Sequence, residues 1–316
     1  MAVSRSQSST DSHTQSSSGQ TVQETIFPRL DKLVWMRIVV RMEAEKDGYL
    51  PTFLGSALRG AIGPRLDLVI GSAGHSNPVP PFTINTRLRK RAEIRQGETL
   101  SWGLVLIGDL RDQLEEIILV LRPGMQLGEK RIPFRVIQIT PVPGPTFSPA
   151  DDGVAIVPRL FSANSFLRRQ PIPGDEARIR FLTPLRLVRE NRLVRKFDPQ
   201  VFFHRLWNRV SLYTGDGQDR EKRRLLDHSF DRVRMWDGRT EWWELERRSY
   251  SQGAKHDISG VTGWAHLGPL TPELWALLYL GEVLHVGAKT AFGLGRYKIM
   301  RDAFDSLQGE QRQHSE

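Results

Sequence analysis

Glycine and positive charge come together in Gly287-Ala-Lys289-Thr-Ala-Phe292-Gly293-Leu-Gly295-Arg296-Tyr297, directly after an apolar helical stretch that starts at Thr271 and reaches Val286. Glycines let backbone approach a ligand closely, and Lys289 and Arg296 supply charge, so the stretch has the makings of a phosphate-contacting loop. Neither Gly-x-x-x-x-Gly-Lys-Ser/Thr nor a Gly-x-Gly-x-x-Gly after a strand is present, which disfavours mononucleotide cofactors. An extended polyanion fits better.

Proton transfer on such a polymer suits histidine, whose unperturbed pKa is about 6.5. His75 lies in the loop Gly71-Ser-Ala-Gly74-His75-Ser-Asn77, where it is either a general acid or base or a solvated loop residue. His285 follows Leu274, Leu278 and Gly281 on one helical face, which also describes a packed histidine favoured by a helix C-terminus. His266 alternates with Trp264 and Thr262 on one strand face, able to stack or hydrogen-bond a base or simply to sit half-buried. His204 neighbours Phe203, Leu206, Trp207 and Val210 on a helix and reads as a surface histidine.

Among the cations, Arg59 stands opposite the apolar stripe of its helix, beside Ser56, Gly60 and Gly63, whose small side chains admit something bulky: a backbone phosphate or another part of the chain. Arg186, Arg189, Arg192, Arg195 and Lys196 form a run with few compensating acids, suited to phosphate contact or to a solvated face. Lys222, Arg223 and Arg224 are interspersed with Asp219 and Glu221 and read as ordinary surface.

These groups need a scaffold, and hydrophobic periodicity outlines one. A β-branched run from Leu33 to Met42 predicts a buried strand. Leu54, Ala57, Leu58, Ala61, Ile62 and Leu66 predict a helix over 52–66. Strands near 81–94 and 100–107 follow, then a helix carrying Leu110, Leu114, Ile117, Ile118 and Leu121, then a strand over 132–140. The order is βαββαβ, the ferredoxin-like signature. Pro141-Val-Pro-Gly-Pro145 marks a boundary. The same order repeats as a strand at 177–188, a helix at 199–212, strands between 233 and 267, a helix capped by Thr271 with Pro272 in its first turn, and a strand at 296–300. The expected class is α+β, two tandem ferredoxin-like (RRM-like) domains at 26–145 and 146–303, between polar tails at 1–25 and 304–316 that lack the apolar residues to order them.

The chain has 316 residues, 39% of them hydrophobic, and carries 45 Lys and Arg against 36 Asp and Glu, a net charge of +9. An arginine-heavy surplus of this kind favours nucleic acid, through bidentate phosphate contacts and base stacking. Cysteine is absent, which removes disulfides, thiol nucleophiles and cysteine-held zinc. No apolar run approaches the roughly 20 residues that span a bilayer, and residues 1–24 lack the apolar core of a secretory signal. The expectation is a cytoplasmic protein without a mononucleotide cofactor or cysteine-held zinc.

The segment Tyr49-Leu-Pro-Thr-Phe-Leu54-Gly55-Ser56-Ala57-Leu58-Arg59-Gly60-Ala61-Ile62-Gly63 resembles the opening helix of the CRISPR-associated endoribonucleases that process precursor guide RNA, the Cas6 family of the RAMP superfamily. Phe181-Leu-Thr183-Pro184-Leu185-Arg186-Leu187 is similar to the strand that opens their second domain. Gly260-Val-Thr-Gly263 and the segment from Leu280 to Tyr297 are similar to their C-terminal signature. The resemblance implies repeat-specific, metal-independent cleavage of precursor crRNA, in which a ribose 2′-hydroxyl attacks the neighbouring phosphate and leaves a 2′,3′-cyclic phosphate and a 5′-hydroxyl. It implies repeat RNA and mature crRNA as partners, with other CRISPR effector subunits permitted, and no membrane.

By the same resemblance His75 and Arg59 are the catalytic candidates. Arg186, Arg189, Arg192, Arg195, His266, His285, Gly287, Lys289, Gly293, Gly295 and Arg296 are the RNA-binding candidates. One departure matters: many members carry a histidine in or just after the opening helix, whereas this chain reads Arg59-Gly-Ala-Ile-Gly63-Pro64-Arg65-Leu66 there. That absence leaves open a rival expectation, a non-catalytic RAMP-type RNA-binding subunit of an effector complex.

Overall fold

A computed structural model describes residues 29–300 apart from 71–79, 87, 90–91, 143–158 and 249–254. In the first βαββαβ unit, strand β1 (Val34–Ala44) alternates buried Ile38, Val40 and Met42 with exposed Arg37, Val39 and Arg41, the period of a sheet covered on one face. Helix α1 (Gly55–Ile70) follows, then β2 (Phe82–Asn85), β3 (Thr99–Ile107), helix α2 (Leu114–Leu121), β4 (Met125–Leu127) and β5 (Ile132–Val142). The sheet order is β2-β3-β1-β5-β4, antiparallel throughout. Leu58, Ile62 and Leu66 of α1 and Leu114, Ile117, Ile118 and Leu121 of α2 seal its inner face.

A short strand β6 (Phe161–Ser162) pairs with the start of β1 and leads into helix α3 (Ala163–Leu167). The second unit then runs β7 (Ala177–Leu185), the hairpin β8 (Leu187–Arg189) and β9 (Arg192–Val194), helices α4 (Pro199–Thr214) and α5 (Arg220–Arg232), β10 (Arg234–Trp243), β11 (Gly260–Gly268), α6 (Pro272–Leu284) and β12 (Tyr297–Met300). Its sheet order is β10-β11-β7-β12. In both sheets the first and third strands of the unit lie at the centre, so the fold is two tandem ferredoxin-like units.

Local chemistry explains the element ends. Asp198 caps α4, accepting from the amides of Gln200 at 3.0 Å and Val201 at 3.1 Å, with Pro199 in the first turn and Gly215 closing the helix at φ 79°. Thr271 occupies the N-cap position of α6, and its carbonyl accepts from the Trp275 amide at 3.0 Å. Its side chain makes no capping bond, so that part of the sequence reading is corrected.

Other elements also differ from expectation. The strand expected over 81–94 is broken: after Asn85 the chain leaves the sheet, Leu88 bridges to Phe53, and Glu93–Ile94 pairs instead with Gly48–Tyr49. Helix α2 starts at Leu114 and leaves Leu110 in a turn, where Arg111 and Asp109 form an ion pair. Helix α5 was not anticipated. Its charged sequence buries little beyond Leu226 and Phe230, and Phe230 stacks on Phe203 of α4 at 6.1 Å between ring centroids.

The two units share apolar surface. Trp35, Val105 and Ile107 of the first sheet belong to the core that also holds Phe202, Leu206 and Leu278 of the second unit. This seam positions the site described next.

Candidate functional site

Where the units meet, the glycine-rich loop lies between them. Helix α6 ends with the amide of His285 on the Gly281 carbonyl, and His285 itself adopts φ 59°. The loop then turns back through a short 3-10 segment, Thr290–Phe292, flanked by Lys289 at φ 60° and Gly293 at φ 83°. A Cβ on Gly293 would sit 2.6 Å from the Ile84 carbonyl oxygen, and one on Gly55, the first residue of α1, would overlap the carbonyl oxygen of Phe292. The glycines here admit protein backbone. The close approach anticipated from the sequence is made by the first unit at Gly293, and by the Arg186 and Val286 carbonyls of the second unit at Gly287 and Gly295.

The loop cations follow the same logic. Arg296 donates to the Thr86 carbonyl at 2.9 Å, Lys289 to the Asp257 carbonyl at 3.0 Å, and Arg186 to the Ser259 carbonyl at 2.9 Å and the Asp257 carboxylate at 3.0 Å. The Thr183 hydroxyl donates to the Gly293 carbonyl at 2.8 Å and accepts from the Arg296 amide at 3.0 Å. Apart from the Arg186–Asp257 ion pair, each contact ties the loop or the strand beside it to backbone.

His285 is sealed in the seam at 0% exposure, and its Nε2 lies 2.7 Å from Oδ1 of Asn85 at the end of β2. Burial, and then the charges of Arg296 and Arg209, hold its pKa well below the usual imidazole range. It is neutral at physiological pH. Arg209 is itself buried, its pKa lowered by desolvation; Nε faces the Leu284 carbonyl at 3.3 Å and the guanidinium sits over the Tyr213 ring at 5.1 Å. The negative end of α6 and the ring face compensate that charge. Asn85, Thr86 and Arg209 were missed in the sequence. The only available signal was the apolar periodicity of α4, in which Arg209 sits as an unexpected charge.

The remaining candidates divide between the seam and the surface. His285, Gly293 and Gly295 are buried, and Gly287, Lys289 and Arg296 half-buried, so the loop candidates gather in the seam. Arg189 and Arg192 flank the tip of the β8–β9 hairpin, exposed, with Glu190 at φ 50° and Asn191 at φ 61° forming the two-residue turn. Arg195 is exposed and lies over the Trp242 ring at 5.5 Å. His266 Nε2 is 2.8 Å from Glu176 Oε2. His204 is half-buried against Phe230, 3.4 Å from Asp227, with its pKa lowered mainly by burial. Arg59 folds along its own helix: its guanidinium crosses Gly63, reaches Asp67 at 2.9 Å and lies 5.3 Å from the Phe82 ring centre. The bulky neighbour admitted by Gly63 is thus the arginine itself. His75 lies outside the described residues.

Comparison with known proteins now bears on this arrangement. Residues 179–297, from β7 through the glycine-rich loop to the start of β12, match the model of the CRISPR-associated endoribonuclease Cas6. Over this segment the chain is similar to the Cas6 family. A second model, described as an N-terminal domain, matches residues 69–152. Comparison with curated proteins gave no sequence match. Among solved structures, a Cas6 product complex aligns over 85% of this chain and 100% of its own at 20% identity and TM-score 0.58. Thermus thermophilus Cas6 aligns over 85% of this chain and 99% of its own at 17% identity and TM-score 0.54. A partial Cas6-RT-Cas1–Cas2 complex aligns over 88% of this chain and 47% of its own at 14% identity and TM-score 0.60. At these identities the likeness speaks to the fold, which agrees with the tandem topology above. No helix of the described residues is long and apolar enough to cross a membrane.

Proposed function

We propose that this chain is a metal-independent, repeat-specific endoribonuclease that cuts precursor crRNA. The observation that carries the reading is the Cas6 match over 179–297, which spans the loop that clamps α1 against the second unit. In the proposed reaction the 2′-oxygen beside the scissile bond attacks phosphorus and loses its proton to a base. A P–O2′ bond forms, the P–O5′ bond breaks, and the departing 5′-oxygen takes a proton. Products are a 2′,3′-cyclic phosphate and a 5′-hydroxyl.

His75 is the proposed proton-transfer residue, since His285 is enclosed in the seam and lacks a path to a bound strand. Arg59, one turn into α1, is proposed to exchange its Asp67 partner for the phosphate whose charge grows in the transition state. The exposed hairpin cations Arg189 and Arg192, with Arg195, are proposed to hold RNA backbone. Similar Cas6 proteins have been captured with product and with a substrate mimic, and in an assembly with RT, Cas1 and Cas2. Precursor and mature crRNA, and other CRISPR proteins, are accordingly the proposed partners, in the cytoplasm.

The test is incubation in EDTA with the cognate repeat RNA and with a copy bearing one 2′-deoxy nucleotide at the cut site. Cleavage of the first alone supports the mechanism, and His75→Ala then tests the proton-transfer role. Tight binding with neither RNA cut would replace the proposal with its rival, a guide-holding subunit.

A further inference from the structure

The outer face of the second sheet, on which the sequence placed His266, combines aromatic rings and cations in register that the proposed function does not use. Strand β7 buries Ile179 and Phe181 beneath α4 and α6 and turns Arg178 and Arg180 outward. Cross-strand pairing places Arg239 of β10 opposite Trp264 of β11, Trp264 opposite Arg180, and Arg180 opposite Lys298 of β12. Directly opposed residues share a face, so this row runs across all four strands, about 14 Å at the usual interstrand spacing. Two residues along, His266 stands opposite Arg178.

The irregularity between Met235 and Asp237 turns Trp236 onto the same face, where it is 48% exposed and meets His266 edge-on at 5.6 Å. Glu176 fixes the imidazole from its other side.

We infer that this face is a binding platform for single-stranded RNA, with Trp264 and Trp236 each stacking one base and Arg180, Lys298 and Arg239 following the phosphates. Trp236, 48% exposed on the edge strand β10, and the half-buried Trp264 on the central strand β11, flanked by Arg239 and Arg180, suit unpaired bases. An acidic peptide would use the charges but leave the rings without a role. The inference rests on the proposed function, whose RNA it extends: the platform takes single-stranded nucleotides adjoining the part of the repeat that is cut.

The experiment uses the full chain and a labelled single-stranded RNA ten-mer, read by anisotropy and by quenching of tryptophan fluorescence. Trp264→Ala is expected to weaken ten-mer binding about ten- to hundredfold, the range for one lost base–aromatic stack. Arg180→Gln and Lys298→Gln should each reduce the slope of log K against log[salt] by about 0.7. These two leave the aromatic residues and core in place, so they decide the matter if Trp264→Ala misfolds. Cleavage of a minimal repeat without flanking nucleotides should be unchanged in all three variants.

Ten-mer binding that ignores every one of these substitutions would overturn the platform while leaving the nuclease proposal intact. A wild-type chain that cuts no repeat yet binds the ten-mer through Trp264 would retain the platform and sink the nuclease proposal. Preference for polyglutamate over RNA on the same face would overturn the RNA assignment.

Discussion

Gly55 and Gly293 bring the same strip of loop backbone against the first unit, so alanine at either position tests whether the loop is a rigid wedge. At Gly55 the helix itself would welcome alanine, by up to about 1 kcal/mol. The new methyl, however, overlaps the Phe292 carbonyl oxygen and lies 2.7 Å from Cζ of Phe53. Relief requires the carbonyl to retreat by about 1 Å or more, toward ordinary contact distance. Overpacking of this kind costs about 1–3 kcal/mol, so Gly55→Ala is expected to destabilise by about 1–2 kcal/mol net. At Gly293, φ 83° adds about 1–2 kcal/mol of left-handed strain to the clash with Ile84, for a total of about 2–4 kcal/mol.

Gly97→Ala is the control: φ is 81° and nothing lies within 4 Å of the added Cβ, so only the strain remains. Urea unfolding midpoints at constant m measure all three. Because one retreat of residues 292–293 relieves both clashes, the double variant should cost less than the sum by about 1 kcal/mol. Additivity, or a Gly293→Ala cost no larger than that of Gly97→Ala, would show that the loop does not wedge the seam.

Further outcomes concern neighbouring groups. His285 is held neutral in the folded chain while the unfolded chain regains its ordinary pKa of about 6.5. Its contribution to stability is therefore complete above about pH 6.5 and is lost as pH falls below that, at up to about 1.4 kcal/mol per pH unit. Comparing wild type with His285→Gln by urea midpoints at pH 7.5 and 5.5 should show a shallower loss in the variant; His204, lowered in the same direction, is common to both. Thr183→Val removes a donor to Gly293 and an acceptor for Arg296, and should cost about 2–3 kcal/mol in urea unfolding. Glu190→Asn places a residue tolerant of positive φ in the hairpin turn and deletes an acid between Arg189 and Arg192. It should leave the melting temperature unchanged or raised and strengthen repeat-RNA binding in a filter assay at low salt.

Much of the fold was legible because its signals are local. The β-branched run of β1, the stripe on α1 and the start of α4 at Pro199 are each written within a few residues, although β1 proves buried on one face only. Helix α5 was not legible: in Arg220–Arg232, Leu226 and Phe230 are embedded among charges, and only the shape of α4 makes a partner for them. The break after Asn85 was equally hidden, since Leu88 meets Phe53 across a fold that sequence spacing does not encode. For the site, the glycine-rich loop was legible in the sequence, and the neighbour that the structure gives Gly293 is the Ile84 carbonyl. Composition reports that something approaches Gly293 closely; whether that is a phosphate or the Ile84 carbonyl depends on the placement of the other unit.

That distinction alters what substitutions in the motif can reveal. Arg186 and Arg296 each donate to a part-buried main-chain carbonyl, Ser259 within the second unit and Thr86 across the seam, and Lys289 to the more exposed Asp257 carbonyl, so replacing Arg186 or Arg296 leaves a part-buried acceptor without its donor, at up to about 1–3 kcal/mol. Lost cleavage in such a variant would follow from a displaced loop as readily as from a lost RNA contact. Arg189, Arg192 and Arg180 are exposed, and their substitutions should change the salt dependence of RNA binding without moving the unfolding midpoint. Salt slope and stability together therefore separate the two kinds of arginine. On the present geometry Arg296, among the residues most recognisable in the sequence, ties the second unit to the first, and the hairpin and open-sheet arginines are the ones whose substitution tests the proposed RNA contacts.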